Sequence, residues 1–208
     1  MNNKVHILDI GCSNTSSVSK MVEKLKGEFS IVKNPDQLLD AKKIILPGVG
    51  SYDNAISKLQ NMKIVDLLYD KVINQKVPIL GICLGMQLFA KGSEEGELDG
   101  LGYIHGYIRK FNFADYDDSL KIPHMGWNTI DRIKSNLLIK DLYPGTRYYF
   151  VHSYHFVAEN KEDVIAETNY GYKFPSIINK KNIYGTQFHP EKSHRYGKEI
   201  ISNFLNLI

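Results

Sequence analysis

The residues best suited to chemistry surround Cys83, in the segment PILGICLGMQ (78–87). An apolar run there leads directly into Gly-x-Cys-x-Gly and then into a helical pattern. A strand-to-helix turn of this kind lifts a nucleophile out of a sheet, and its glycines permit the cramped backbone. Free N–H groups at the helix start favour a thiolate on Cys83, and the Leu84 N–H is predicted to face an oxyanion. A lone cysteine at a strand end is usually a packing residue, but the two glycines favour a catalytic one.

A second segment, QFHPE (187–191), follows another predicted strand and offers a base. Because His189 precedes a proline, its backbone is expected to be extended. His189 and Glu191 then project to the same side, two residues apart. This spacing predicts that His189 takes the thiol proton while Glu191 orients the imidazole. His-Pro-Glu alone is more typical of a surface turn, but together with the cysteine turn it indicates a catalytic triad.

A third segment, LPGVGS (46–51), lies directly after the apolar run 43–46. The residues Gly48, Val49 and Gly50 suit a loop whose backbone N–H groups approach a substrate oxygen. An ordinary strand-to-helix connection has the same composition, and the loop alone would be interpreted as one. A role in binding substrate is indicated only in combination with the other two segments.

The elements that must position these segments alternate in the first half of the chain. Strands are predicted at 4–10, 28–32, 43–46 and 77–82, and helices at 15–26 (capped by Ser13 and Asn14), 52–74 and 84–91. Such alternation predicts a parallel sheet with helices on both faces. Further strands are predicted at 101–111, 120–133, 147–158, 163–168, 172–178 and 183–188, with turns at Pro144-Gly145 and 169–171, and a last helix at 194–208. We therefore expect one α/β domain over residues 1–208 with an antiparallel extension.

Composition excludes several other classes of protein. The 208 residues are 43% hydrophobic and 24% charged, with a net charge of +3 and no long run of Lys and Arg, so no nucleic-acid partner is expected. No stretch is long and apolar enough to span a membrane, and the first residues are too polar for a signal peptide. The two cysteines, Cys12 and Cys83, lack the paired spacing of a disulfide or zinc framework, so a cytoplasmic protein without a bound metal is predicted.

Taken together, these segments resemble the class I (triad) glutamine amidotransferases over nearly the whole chain, and within them the glutaminase subunits of imidazole glycerol phosphate synthases. The resemblance is carried by PGVGSYDNA (47–55), GICLGMQLFA (81–90), PHMGWN (123–128), YFVHSYHF (149–156) and GTQFHPEKS (185–193). PGVG together with PHMGWN points to that subfamily. The family resemblance implies a flavodoxin-like α/β fold, whose central mixed, mostly parallel sheet is flanked by helices and carries an antiparallel β extension.

The resemblance also implies a role for each matching residue. The catalytic residues are Cys83 as nucleophile, His189 as base and Glu191 as orienting acid. The oxyanion hole is formed by Leu84 and by a loop that must reorient, made of Gly48, Val49 and Gly50. The glutamine is held by Gln87 and by the segment His152, Ser153 and Tyr154. The residues facing a partner beside the ammonia exit are His124, Met125, Trp127, Asn128 and Lys192.

The implied activity is hydrolysis of L-glutamine to glutamate and ammonia without a cofactor. The ammonia would pass to a (β/α)8-barrel cyclase, in a heterodimer that makes imidazole glycerol phosphate and AICAR in histidine biosynthesis. Two segments depart from the family pattern, namely DIGCSN (9–14) and GYIHGY (102–107). Both lie where a partner could bind. They leave open a related synthase that amidinates a sugar for surface polysaccharide.

Two other classes of protein remain as alternatives. A stand-alone cysteine hydrolase or peptidase on a flavodoxin-like fold would share the cysteine turn, but the HPE pair and the glutamine-wall motif argue against it. A non-catalytic relic of a glutaminase would share the fold. The presence of Cys83, His189 and Glu191 together argues against that alternative.

Overall fold

A computed structural model describes residues 4–11, 13–114, 119–140, 142–143 and 145–208, and within these ranges it contains twelve strands and five α-helices. The strands are β1 (Val5–Leu8), β2 (Phe29–Val32), β3 (Ile44–Gly48), β4 (Ile79–Cys83), β5 (Gly106–Lys110), β6 (His124–Thr129), β7 (Asp131–Arg132), β8 (Arg147–His152), β9 (Tyr154–Ala158), β10 (Val164–Tyr170), β11 (Tyr172–Lys180) and β12 (Ile183–Thr186). The helices are α1 (Thr15–Lys24), α2 (Tyr52–Asn61), α3 (Val65–Tyr69), α4 (Leu84–Gln87) and α5 (His194–Leu207). Cys12, and Pro144 of the predicted turn, lie outside the described residues.

The central sheet has eight strands in the order β2-β1-β3-β4-β12-β11-β10-β7. Neighbours from β2 to β12 run parallel, and those from β12 to β7 run antiparallel. Two antiparallel pairs, β5 with β9 and β6 with β8, form separate two-stranded sheets. The prediction of a mixed, mostly parallel sheet with an antiparallel extension is confirmed.

Helices cover both faces of the sheet, as β3 illustrates. Ile45 packs in a cluster with residues of α1 and α5, whereas Ile44 and Leu46 pack in a second cluster with residues of α2 and α3. Alternate residues of a strand point to opposite faces, so this division places one hydrophobic core on each side of the sheet. No helix within the described ranges is long and apolar enough to cross a membrane.

Two predicted helices are shorter in the structure. The helix expected over 52–74 is broken between α2 and α3, where Lys63 has a φ of 53° that a helix cannot contain, and α3 continues as a π-helical segment, Asp70–Asn74. The helix expected over 84–91 ends at Gln87. The helix predicted at 15–26 begins as expected, with the Asn14 side chain accepting a hydrogen bond from Ser17 N.

Helix α5 packs tightly against a 3₁₀ turn, Pro190–Lys192, that follows β12. A Cβ atom placed on Gly197 would lie 1.8 Å from the Pro190 carbonyl oxygen. The backbones of α5 and of this turn therefore touch at Gly197, and the position of the turn depends on that contact.

We predict that Gly197→Ala destabilises the protein, although alanine is the better helix former. Helix propensity favours alanine by about 1 kcal/mol. Overpacking against a backbone oxygen typically costs about 1–3 kcal/mol, so the net effect is a loss. Urea unfolding followed by circular dichroism measures it. Lys198→Ala, at an exposed position of the same helix, is the control and should stay within about 0.5 kcal/mol of the parent. A Gly197→Ala protein more stable than the parent would contradict the close contact.

Candidate functional site

Cys83 occupies a strained turn between β4 and α4. Its φ is 55° and its ψ is −110°, a conformation that residues with a side chain rarely adopt. The turn is possible because α4 lies against β3, where a Cβ on Gly85 would come within 1.8 Å of the Leu46 carbonyl oxygen. Strain of this kind persists only where the surrounding structure imposes it, and it is concentrated at functional sites. The geometry matches the turn predicted from the sequence.

His189 and Glu191 lie just beyond β12, the parallel neighbour of β4. His189 Nδ1 and Glu191 Oε1 are 2.8 Å apart, and the two side chains are only 1% and 2% exposed. Because Nδ1 is bound to Glu191, Nε2 is the nitrogen available to Cys83. Burial by itself lowers the pKa of His189, but the electrostatic interactions with Cys83 and with the Glu191 carboxylate outweigh burial and raise that pKa to about 10. The arrangement therefore favours a protonated His189 beside the Cys83 sulfur.

Ser193 fixes the backbone of the base, a contact that the sequence reasoning did not identify. Its hydroxyl donates to the His189 carbonyl oxygen at 2.6 Å and accepts from Tyr149 N at 3.0 Å. His189 N in turn donates to the Tyr149 carbonyl oxygen at 2.9 Å. The base is thereby joined to β8 on both sides. The one sequence signal for this role of Ser193 is its position four residues after His189, at the end of the motif GTQFHPEKS (185–193).

A cavity of about 500 Å³ opens in front of Cys83. Its lining contains Val49, Gly50, Cys83, Leu84, Gln87, Glu95, Pro123, Val151, His152, Ser153, Tyr154, His189 and Lys192. The structure thus brings Cys83, His189 and the residues predicted to bind substrate to one cavity, while Glu191 contacts His189 without lining it. Gly48 pairs with Cys83 in the β3–β4 register, immediately behind the lining.

Glu95 lines this cavity and was not identified from the sequence. Its Oε2 accepts a hydrogen bond from Tyr52 N at 3.0 Å. Burial raises the pKa of Glu95, although the bond from Tyr52 opposes that effect. Asp53 accepts from the backbone N–H groups of Glu97 and Leu98, so the Glu95 loop is tied to the start of α2. No local spacing predicts this contact, because a distant loop supplies the carboxylate.

Gln87 is 4% exposed, and its amide nitrogen is fully used. Gln87 Nε2 donates to the Tyr154 carbonyl oxygen at 2.9 Å and to Gln187 Oε1 at 3.1 Å. The oxygen of the amide is therefore the group left for a ligand.

The residues predicted to face a partner divide between surface and interior. Met125 and Trp127 on β6 are 62% and 44% exposed, and Trp127 stacks on the His194 ring with centroids 5.3 Å apart. Lys192 lies over the Tyr149 ring at 5.8 Å. His124 is buried, with its Nδ1 3.2 Å from His152 Nε2. The family resemblance implied a partner contact for His124, but the side chain points inward from β6 and is not exposed for such a contact.

Comparisons with known proteins cover nearly the whole chain. The family model described as "Glutamine amidotransferase class-I" matches residues 6–207. A protein of Leptospira borgpetersenii named "Imidazole glycerol phosphate synthase subunit HisH" is 48% identical over 98% of this chain and 100% of its own, and one of the same name from Methanocaldococcus jannaschii is 42% identical over 98% and 100%.

Solved structures show the same fold at lower identity. The structure of PurLQS from Thermotoga maritima aligns with a TM-score of 0.76 at 18% identity, covering 100% of this chain and 99% of that one. A glutamine amidotransferase of the same organism aligns with a TM-score of 0.66 at 17% identity, covering 98% and 83%. At such identities the likeness concerns the fold alone. Because the family model spans residues 6–207 and the relatives named above are 42–48% identical over nearly the full length, the chain belongs to the class I glutamine amidotransferases.

Proposed function

We propose that this chain is the glutaminase subunit of an imidazole glycerol phosphate synthase, with Cys83, His189 and Glu191 as its catalytic triad. The observation that carries the chemistry is the buried His189–Glu191 pair, which stands beside a cysteine in a strained turn. The relatives that share 42–48% of their residues over nearly the full length carry the name of that subunit. Those comparisons lend no support to a sugar-amidinating synthase.

The reaction begins with attack of the Cys83 thiolate on the side-chain amide carbon of glutamine. The carbonyl oxygen becomes an oxyanion, for which the Leu84 N–H and an N–H of the loop Gly48–Gly50 are the proposed donors. Collapse of this adduct breaks the carbon–nitrogen bond, and the His189 imidazolium gives its proton to the leaving nitrogen. A thioester and ammonia result.

The second half of the reaction consumes water. Neutral His189 takes a proton from a water molecule, whose oxygen attacks the thioester carbon. The carbon–sulfur bond breaks, and the thiolate–imidazolium pair is restored. The product leaves as glutamate once its new carboxyl group has released its proton to the solvent. Glu191 keeps Nδ1 protonated throughout, so that Nε2 performs both proton transfers.

The cavity also has groups suited to the α-carbon end of glutamine. The Glu95 carboxylate can pair with the α-ammonium group. Gln87 and the segment 152–154 line the remaining wall. These contacts would hold the side-chain amide over Cys83, and positioning of this kind is a major part of catalysis.

The partner is proposed to be a (β/α)8-barrel cyclase that receives the ammonia. Exposed apolar side chains on β6, together with Lys192 at the mouth of the cavity, form a surface continuous with the catalytic site. An exposed Trp and Met are typical anchors of a protein interface.

We predict that Cys83→Ala abolishes glutamine-dependent synthesis but spares synthesis from ammonium salts, because the partner needs only ammonia. A diazo-ketone analogue of glutamine should label Cys83 and leave Cys12 unmodified. Peptide mass mapping identifies the labelled residue. Labelling of Cys12, or full glutaminase activity in Cys83→Ala, would refute the triad.

We predict that His189→Asn loses most activity, whereas Glu191→Gln loses less. The imidazole carries the protons, but the carboxylate only orients and stabilises it. Glutamate release under saturating glutamine compares the two variants, and circular dichroism confirms that both are folded. The division of roles fails if Glu191→Gln is the more damaging change.

We predict low glutaminase activity for the isolated chain, with a rise of about 10²–10³ when partner and acceptor are present. A Val49–Gly50 peptide with its carbonyl towards the site would leave the oxyanion short of one donor, and such a loss typically costs this factor. Acceptor binding by the partner would favour the productive orientation. Glutamate release is measured for the chain alone, with partner, and with partner plus acceptor.

Trp127→Ala tests whether activation by the partner depends on the proposed interface. It should weaken the activation by loosening the interface and leave the basal rate nearly unchanged, since Trp127 does not line the cavity. An isolated chain already at the full rate would exclude the switch.

A further inference from the structure

Gln187 is a buried polar residue in contact with the nucleophile. It follows β12, is 0% exposed, and its backbone N donates to the Ser176 carbonyl oxygen at 2.9 Å. Its side-chain Nε2 lies 3.8 Å from Cys83 Sγ, within hydrogen-bond range for sulfur. The mechanism described above gives this amide no task.

The orientation of the Gln187 amide follows from its neighbours. The Tyr154 carbonyl oxygen can only accept, so the Gln87 atom 2.9 Å from it must be the amide nitrogen. That nitrogen also lies 3.1 Å from the Gln187 side chain, which must present its oxygen there. The NH2 group of Gln187 is therefore directed at Cys83 Sγ.

The Cys83 sulfur has one neighbour that accepts a hydrogen bond and one that donates a hydrogen bond. The Val151 carbonyl oxygen, 3.9 Å from Sγ, accepts a hydrogen bond from a thiol and has none to offer a thiolate. The Gln187 amide donates, and hydrogen bonds to an ionised acceptor are about twice as strong as neutral ones. Cys83 is only 6% exposed, so a thiolate there depends on protein donors more than on water.

We propose that Gln187 is a further catalytic residue, whose side-chain amide donates a hydrogen bond to the Cys83 sulfur and stabilises the thiolate before it attacks. This inference rests on the proposed role of Cys83 as nucleophile. The positive charge of protonated His189 stabilises the Cys83 thiolate, and the dipole of the Gln187 amide adds to that stabilisation. Because Gln87 holds the amide by its oxygen, the donor is already oriented when glutamine enters.

The test measures the thiolate directly. With Cys12→Ser as the background, Cys83 is the single thiol of the full-length chain. The rate of alkylation by iodoacetamide, followed by intact mass across pH, gives the midpoint at which the thiolate forms. In Gln187→Met, which keeps the volume and removes the donor, we expect this midpoint to rise by about one pH unit. The titratable groups around the sulfur, His189, Glu191, His152, Glu95 and Lys192, are the same in both proteins.

Gln187→Glu serves as the second variant and keeps the oxygen that Gln87 needs. Its ionised carboxylate offers no donor and adds a negative charge, so the midpoint should rise at least as far. Asn203→Leu is the control, because Asn203 is a buried amide that donates to the Leu138 carbonyl oxygen, away from the cavity. It should lower stability and leave the midpoint where it is in the parent.

The role of Gln187 and the proposed glutaminase function can be refuted independently of each other. Midpoints in Gln187→Met and Gln187→Glu equal to that of the parent would overturn the role of Gln187, while glutamine hydrolysis by the parent with its partner would still stand. A parent without glutamine hydrolysis in the presence of its partner would refute the glutaminase instead, and the alkylation midpoints would still report whether Gln187 stabilises the thiolate.

Discussion

Moving the proton of Cys83 to His189 creates two opposite charges inside the protein, where water solvates them poorly. Such a pair is stable only if each charge has further hydrogen-bonding partners. Glu191 supplies one for the imidazolium at 2.8 Å, and Gln187 lies within reach of the sulfur. Ser193 and Tyr149 keep the imidazole from turning away, by fixing its backbone. Much of the local structure around the cavity can be understood as support for this one pair.

The sheet topology brings the members of the site together. Gly48, Cys83 and the segment before His189 lie at the carboxyl ends of three adjacent parallel strands, β3, β4 and β12. Loops at that edge of a parallel sheet converge, which is why ligands bind there in open α/β folds. A separate strand pair, β6 with β8, then closes the cavity from the antiparallel half and carries the exposed residues of the proposed interface. The proposed catalytic groups and the proposed partner surface are thus joined through the single strand β8.

Features that depend on local backbone chemistry could be predicted from the sequence, whereas those that depend on distant contacts could not. The turn at Cys83 follows from its flanking glycines, and the extended backbone of His189 follows from Pro190. Glu191 lies in a 3₁₀ turn instead of an extended segment, so its approach to His189 depends on that turn. The break at Lys63 was missed, because the hydrophobic periodicity continues across it. Glu95 was missed as well, since its loop is held at the cavity by contacts with residues distant in sequence, among them Tyr52 and Asp53. The burial of His124 depends on pairing with β8, which a motif does not reveal.

His152, which lines the cavity, and His124 behind it show how hydrogen-bond direction determines the protonation of groups near the site. The Tyr154 carbonyl can only accept, so His152 Nδ1, 2.8 Å away, carries a proton and Nε2 accepts. His124 Nδ1 must then donate to His152, and its own Nε2 accepts from the Asn128 amide at 3.3 Å.

Burial, reinforced by electrostatic repulsion from His124, holds the pKa of His152 well below its ordinary value. Burial lowers the pKa of His124 to about 4. Both rings are therefore neutral at physiological pH. A positive charge on His152 would repel the imidazolium of His189 and disfavour the proton transfer from Cys83. The hydrogen bonds that join Asn128, His124, His152 and the Tyr154 carbonyl fix both of these imidazoles as neutral tautomers. His189 is then the protonated imidazole beside the sulfur.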